Sequence, residues 1–297
     1  MDWTPGGMSD DVEDRRGDSG GGGGGFGIGG GGGLGIIGVG VLLVVSLVTG
    51  KNYIGQYLGM GSSRQQQTQQ TQRAESGQPV QESATEHRSA LLVSYVLDDV
   101  QKMWMAVLPE QTGKNYRRAH LVLYRDELQG GCGDAQSSTG PFYCPQDEKV
   151  YIDLGFWEEL KRIGGDAGDF AQGYVIAHEL GHHVQKILGT EARVQQGMRN
   201  SGQRNALSVK LELQADCYAG IWGYSMQQRG KLNEADVDDA LKAASAVGDD
   251  HLQKMSGRTV SPDSFTHGSS AERIAWFKRG MQSGQVSACN TFGSSGD

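Results

Sequence analysis

The chain has 297 residues, 47 of them glycine, and a formal net charge of −8. Collagen is excluded, because the glycines follow no Gly-X-Y period and only 6 prolines accompany them. No basic run occurs, which argues against a nucleic-acid partner, since that would call for a basic face.

Glycine is concentrated at the start of the chain: 15 of the 21 positions from Gly20 to Gly40 are glycine. Residues 1–18 carry six acids (Asp2, Asp10, Asp11, Glu13, Asp14, Asp18) against Arg15 and Arg16. Residues 1–25 therefore read as an acidic, glycine-rich cytoplasmic tail. Residues 19–50 hold no charge, and Leu34–Val48 reads LGIIGVGVLLVVSLV. Taken from Phe26 or Ile28, the stretch reaches the roughly 20 residues that cross hydrocarbon, so 26–50 is expected to form one transmembrane anchor. A cleaved signal peptide would need a basic start and a small-residue exit; here the start is acidic and the exit is Thr49-Gly50-Lys51-Asn52. Arg15 and Arg16 before the span, against Lys51 after it, place the N-terminus in the cytoplasm and the large domain outside, in the periplasm or beyond. Residues 51–88 are polar and glutamine-rich, the composition of a solvated linker.

The remaining stretch, 89–297, is long enough for one well-buried domain. It opens with ALLVSYVLDDVQKMWMAVLP, whose helical spacing puts Leu91, Tyr95, Leu97, Val100, Met103 and Trp104 on one apolar side. AHLVLY (119–124) and KVYIDL (149–154) read as strands. Helices are expected at roughly 168–188, 206–229, 233–247 and 269–282. A small sheet followed by a helical majority implies an α+β domain. Of the four cysteines, none forms a CxxC pair. An even count suits two disulfides in an oxidising space, Cys132–Cys144 closing a loop and Cys217–Cys289 tying the C-terminal tail to a helix. The alternative is four thiols.

Residues 178–183 read His-Glu-Leu-Gly-His-His within one predicted helix. His178 and His182, four apart, leave the same helix face, and two imidazoles at that spacing can grip one zinc ion. Glu179 is rotated by about 100° around the axis, where it can reach a water on the metal rather than the metal itself. A third protein ligand is required. The next helix carries Glu212 and Asp216, again four apart, as acids in apolar surroundings. If Glu212 binds the metal, Asp216 lies one turn along, placed to hold the free N–H of a ligating histidine.

With these residues the chain resembles the bacterial family of membrane-anchored neutral zinc metallopeptidases. The matching stretches are VEDRRG (12–17), the glycine-rich lead into an apolar span, GCGDAQSSTGPFYCPQDEKVYIDL (131–154), HELGHH (178–183), ELQADCYAG (212–220) and HGSSAERIAWF (267–277). The motifs are also similar to those of gluzincins. The resemblance implies a zincin-like domain with His178, His182 and Glu212 as Zn2+ ligands and Glu179 as the general base of peptide-bond hydrolysis. His267 and Tyr218 are candidates for stabilising the oxyanion. The implied partner is a peptide or protein substrate, with the membrane reached through the N-terminal helix. Two other readings use the same residues: a non-catalytic, zinc-stabilised envelope binding module, and a zinc amidase of cell-wall peptides. His183 is expected to be structural. Gly140–Pro145 is a candidate rim and edge strand of the cleft. Ser269 and Glu272 suit a helix cap.

Overall fold

The computed structural model describes residues 1–18, 80–136, 140–200 and 202–293. Its described elements are, in chain order, β1 (Val12–Asp14), α1 (Ala84–Thr112), β2 (His120–Tyr124), β3 (Glu127–Gly130), β4 (Gly133–Gln136), β5 (Phe142–Cys144), β6 (Lys149–Asp153), α2 (Phe156–Arg162), α3 (Asp169–Leu188), α4 (Thr190–Asn200), α5 (Arg204–Gln228), α6 (Glu234–Ala246), α7 (Asp249–Met255) and α8 (Ser270–Ser283). The domain is predominantly helical with a small sheet, as the pattern of elements implied.

Strands run in the order β1-β2-β6-β5, with β1, β2 and β6 parallel and β5 antiparallel at the edge. β3 and β4 form a separate hairpin. The long helices start and stop at local signals. Ser83 caps α1 by accepting from the Glu86 N–H, and Gly113 ends it in the left-handed region at φ 70°. Ser269 and Glu272 cap α8 reciprocally. In α1 the buried stripe is Leu92, Val93, Val96, Leu97, Val100, Met103, Trp104 and Leu108. Leu91 and Tyr95, expected on that stripe, are only half-buried. Trp3 packs against the Tyr95 ring at 5.6 Å.

Two close helix crossings set the frame of the site. A Cβ on Gly220 of α5 would lie 2.1 Å from the Phe277 carbonyl oxygen of α8, and one on Gly280 would lie 2.0 Å from the Cys217 oxygen. On α3, a Cβ on Gly181 would come within 3.1 Å of the Ala215 backbone. Only residues without a side chain let these backbones approach so near.

Two expectations are corrected. Among the described residues no helix is long and apolar enough to cross a membrane. The transmembrane helix expected ahead of the α+β domain is thus not supported; the span assigned to it, 26–50, lies outside the described residues. The single-pass localisation, with a cytoplasmic N-terminus and an extracytoplasmic domain, falls with it, and β1 supplies an independent reason. Val12, Glu13 and Asp14 pair in register with Leu121, Val122 and Leu123. A strand cannot hydrogen-bond to its neighbour across a bilayer, so residues 1–18 and the domain share one side. Further contacts hold this segment down. Trp3 Nε1 donates to Asp169 at 2.8 Å, Ser9 Oγ donates to Asp98 at 2.8 Å, and the buried Arg16 bridges Asp14 and Glu82 at 2.6 and 2.7 Å.

Candidate metal centre

Helix α3 is buried almost throughout, from Phe170 to Gln185. A helix enclosed in this way can carry polar side chains only where partners meet them, and its polar residues converge with those of α5. His178 Nε2 lies 3.2 Å from Glu212 Oε2, and His182 Nε2 lies 3.6 Å from Glu212 Oε1. One donor atom from each of the three residues falls within 4.8 Å of the others, and all three residues are buried. The contact of Gly181 with Ala215 lies between these residues in both helices and permits that convergence.

The outward nitrogens are held from behind. His178 Nδ1 is 2.9 Å from Asp216 Oδ1. Asp216, fully buried, also accepts from Tyr174 Oη at 2.6 Å and from Arg273 Nε and Nη2, both at 2.9 Å. His182 Nδ1 is 2.9 Å from Gln185 Oε1. Burial works against a charged His178, but Asp216 and Glu212 outweigh it and raise its pKa to about 10. His182 lacks such a carboxylate behind it, and burial takes its pKa down to about 4. Burial also opposes ionisation of Glu212, yet the flanking histidines hold its carboxyl well below the usual range.

Glu179 lines the same cleft. Burial, with Glu212 adding to it, raises its pKa to about 7, while His178 and the Tyr143 backbone act in the opposite sense. Glu179 Oε2 and Glu212 Oε1 are buried oxygens without a hydrogen-bond partner. Orphaned buried acceptors are costly, and a cation held by two imidazoles and a carboxylate would satisfy the Glu212 oxygen directly. Such a donor set matches zinc at a site with an open position. The group His178, His182 and Glu212 therefore fits a metal ion on the structure's own chemistry.

The cleft encloses about 960 Å³. His267 lines it, reached from the loop before α8. Asp249 fixes that loop: its Oδ2 accepts from the N–H groups of Thr266, His267 and Gly268 at 2.7, 2.6 and 3.0 Å, and its Oδ1 lies 3.3 Å from His267 Nδ1. Gly140 and Pro141, leading into the edge strand β5, also line the cleft. Tyr218 is not brought there. It is buried edge-on against Trp104, with ring centroids 5.5 Å apart. Six positions beyond Glu212 on a helix is about 240° around the axis, so the two cannot share a face. His183 is fully buried between Tyr143 Oη at 2.9 Å and the Arg117 carbonyl at 2.7 Å. Cys132–Cys144 and Cys217–Cys289 form disulfides.

Sequence reasoning missed Arg273, Tyr174, Asp249 and Gln185. Arg273 left a trace, as a charged residue on the buried stripe that continues with Phe277, Gly280 and Met281. Asp249 left none, since its partners are loop N–H groups.

The model of a family described as "Putative neutral zinc metallopeptidase" matches residues 1–292. The chain belongs to that family. Within it, "Uncharacterized protein YpfJ" of Escherichia coli (strain K12) is 49% identical over 300 residues, covering 99% of this chain and 100% of the relative. "Uncharacterized protein Rv2575" of Mycobacterium tuberculosis is 41% identical over 206 residues, covering 66% of this chain and 68% of the relative. No solved structure matches. Family membership extends over the N-terminal segment as well as the helices that carry the metal group.

Proposed function

We propose that this family member is a zinc-dependent endopeptidase, with His178, His182 and Glu212 holding the ion and Glu179 acting as general base. One observation carries the reading: a buried carboxylate with an unpartnered oxygen, Glu179, stands beside three converging metal donors in a cleft large enough for a peptide. Bound zinc would supply Lewis-acid polarisation of a carbonyl and lower the pKa of a coordinated water to about 7.

The chain's own groups do the rest. Glu179 accepts the proton of the attacking water at its carboxylate and returns it to the leaving amine. Its position is supported by the Tyr143 backbone on the edge strand. His267, its Nδ1 face anchored by Asp249, directs its other nitrogen as a donor for the carbonyl oxygen as negative charge develops there. Burial opposes protonation of His267, but Asp249 acts to raise its pKa, which favours the donating form. Asp216, fixed by Arg273 and Tyr174, keeps the His178 ring in orientation.

The test uses the full chain. Wild type should hold about one zinc ion and cleave peptides within a mixed library. Glu179→Gln should retain the ion and lose cleavage by at least about 100-fold, in line with the contribution of general-base catalysis. Equal activity in the two proteins would overturn the assignment of the base.

A further inference from the structure

Behind His182 runs a chain of amides whose polarity is fixed at its far end by backbone carbonyls. Gln214 Nε2 donates to the Cys289 carbonyl at 2.9 Å. A carbonyl only accepts, so the Gln214 amide has one orientation, and its Oε1 then faces Gln185 Nε2 at 3.2 Å. Gln185 Nε2 also donates to the Leu211 carbonyl at 2.7 Å. Both hydrogens of that nitrogen are thereby committed, which leaves Gln185 Oε1 facing His182 Nδ1 at 2.9 Å. An amide oxygen cannot donate, so Nδ1 must carry the proton. Neutral imidazole has one N–H, and a lone pair is therefore left on Nε2, the nitrogen 3.6 Å from Glu212.

We propose that Gln185 and Gln214 are positioning residues that set the tautomer and ring orientation of His182 for metal binding. This rests on reading His182 as a ligand. The two histidines are then held by different chemistry: a carboxylate and an arginine behind His178, a neutral amide relay behind His182. Exposure decides whether water can stand in for the relay. Gln185 is 1% exposed, His182 3% and Gln214 6%, so losing one amide leaves a buried N–H or oxygen unpaired. The relay also ends on a residue that is itself fixed, since Cys289 is cross-linked to Cys217, the neighbour of Asp216. Supports for both imidazoles thus converge on one turn of α5.

The experiment is a double-mutant cycle on the full, oxidised chain, with zinc affinity measured by chelator competition. Gln185→Met keeps the volume and removes the hydrogen bonds. It should weaken zinc binding by about 10–100-fold in the wild-type background and have no further effect in His182→Ala. An unchanged affinity, or the same loss in both backgrounds, overturns the proposal, because a merely structural role would act with or without His182. Long-range 15N NMR of the metal-free protein supplies a second readout. Wild-type His182 should be in the Nδ1–H form, and the variant should lose that preference; the Nε2–H form in wild type would also overturn it. If Gln185→Met does not fold, Gln214→Met is read in the same cycle, with a loss of about 3–10-fold expected. Absence of zinc binding by wild type would instead remove the metal reading itself, while the NMR tautomer would still test the relay.

Discussion

Arg273→Met is the substitution whose cost the structure defines most closely. Arg273 is 4% exposed, and both of its bonds to Asp216 are 2.9 Å long. Asp216 is fully buried, with Tyr174 and His178 as its other partners. Removing the guanidinium leaves the buried carboxylate with the His178 imidazole as its remaining charged partner. Breaking a buried pair from one side costs about 3–5 kcal/mol, against a total stability of about 5–15 kcal/mol for a domain. For a domain of this size the melting temperature should fall by about 6–20 °C. Urea denaturation of the metal-free, oxidised chain at pH 7 measures the cost by linear extrapolation. The double variant Asp216→Asn/Arg273→Met removes both charges together and should be less unstable than the two single losses added. Strict additivity, or a loss below about 1 kcal/mol for Arg273→Met alone, would refute the coupling.

Three other outcomes are expected. Gly280→Ala places a Cβ against the Cys217 backbone at 2.0 Å, where no side chain can yield; it should cost at least the 1–3 kcal/mol typical of overpacking, and a urea midpoint equal to wild type would contradict it. Replacing both cysteines of a disulfide with alanine should cost more for Cys217–Cys289, which spans 72 residues, than for Cys132–Cys144, which spans 12; chain entropy gives about 4 and about 3 kcal/mol, and thermal unfolding would show the reverse order if the entropic account failed. Glu148 links pH to stability: burial opposes its ionisation, but Arg117 and Lys186 prevail and hold its pKa at about 2, below the ordinary 4.5. Its stabilisation is complete above pH 4.5 and is lost as pH falls toward 2. Glu148→Gln should therefore flatten the acid side of the stability profile, and an unchanged profile would sink the assignment.

The parts of this structure that were legible in the sequence are those whose cause is local. Helices α3, α5, α6 and α8 announce themselves by apolar period and by caps such as Ser269 with Glu272, and the observed ends lie within two residues of the expected ones. The spacings 178/182 and 212/216 were sufficient to put pairs of side chains on common helix faces. What stayed hidden depends on distant partners. β1 is Val-Glu-Asp, with no strand signature of its own, and exists because Leu121–Leu123 pair with it. α4 is strongly polar overall, and α7 is only seven residues long. Tyr95 in α1 is half-buried with the Trp3 ring of the N-terminal segment against it, a contact between distant parts of the chain like that of β1. Tyr218, an oxyanion candidate from the sequence, lies six positions beyond Glu212, where helix geometry turns it to the core.

Arg16 and Glu82 stand 66 positions apart in the chain, yet their side chains touch at 2.7 Å. The described residues on either side of that separation therefore meet at a single point. The β1 ladder, Trp3 and Arg16 dock residues 1–18 on the domain through contacts of their own. A peptide of residues 1–18 supplied in trans is therefore a natural complement for a chain that begins near residue 80.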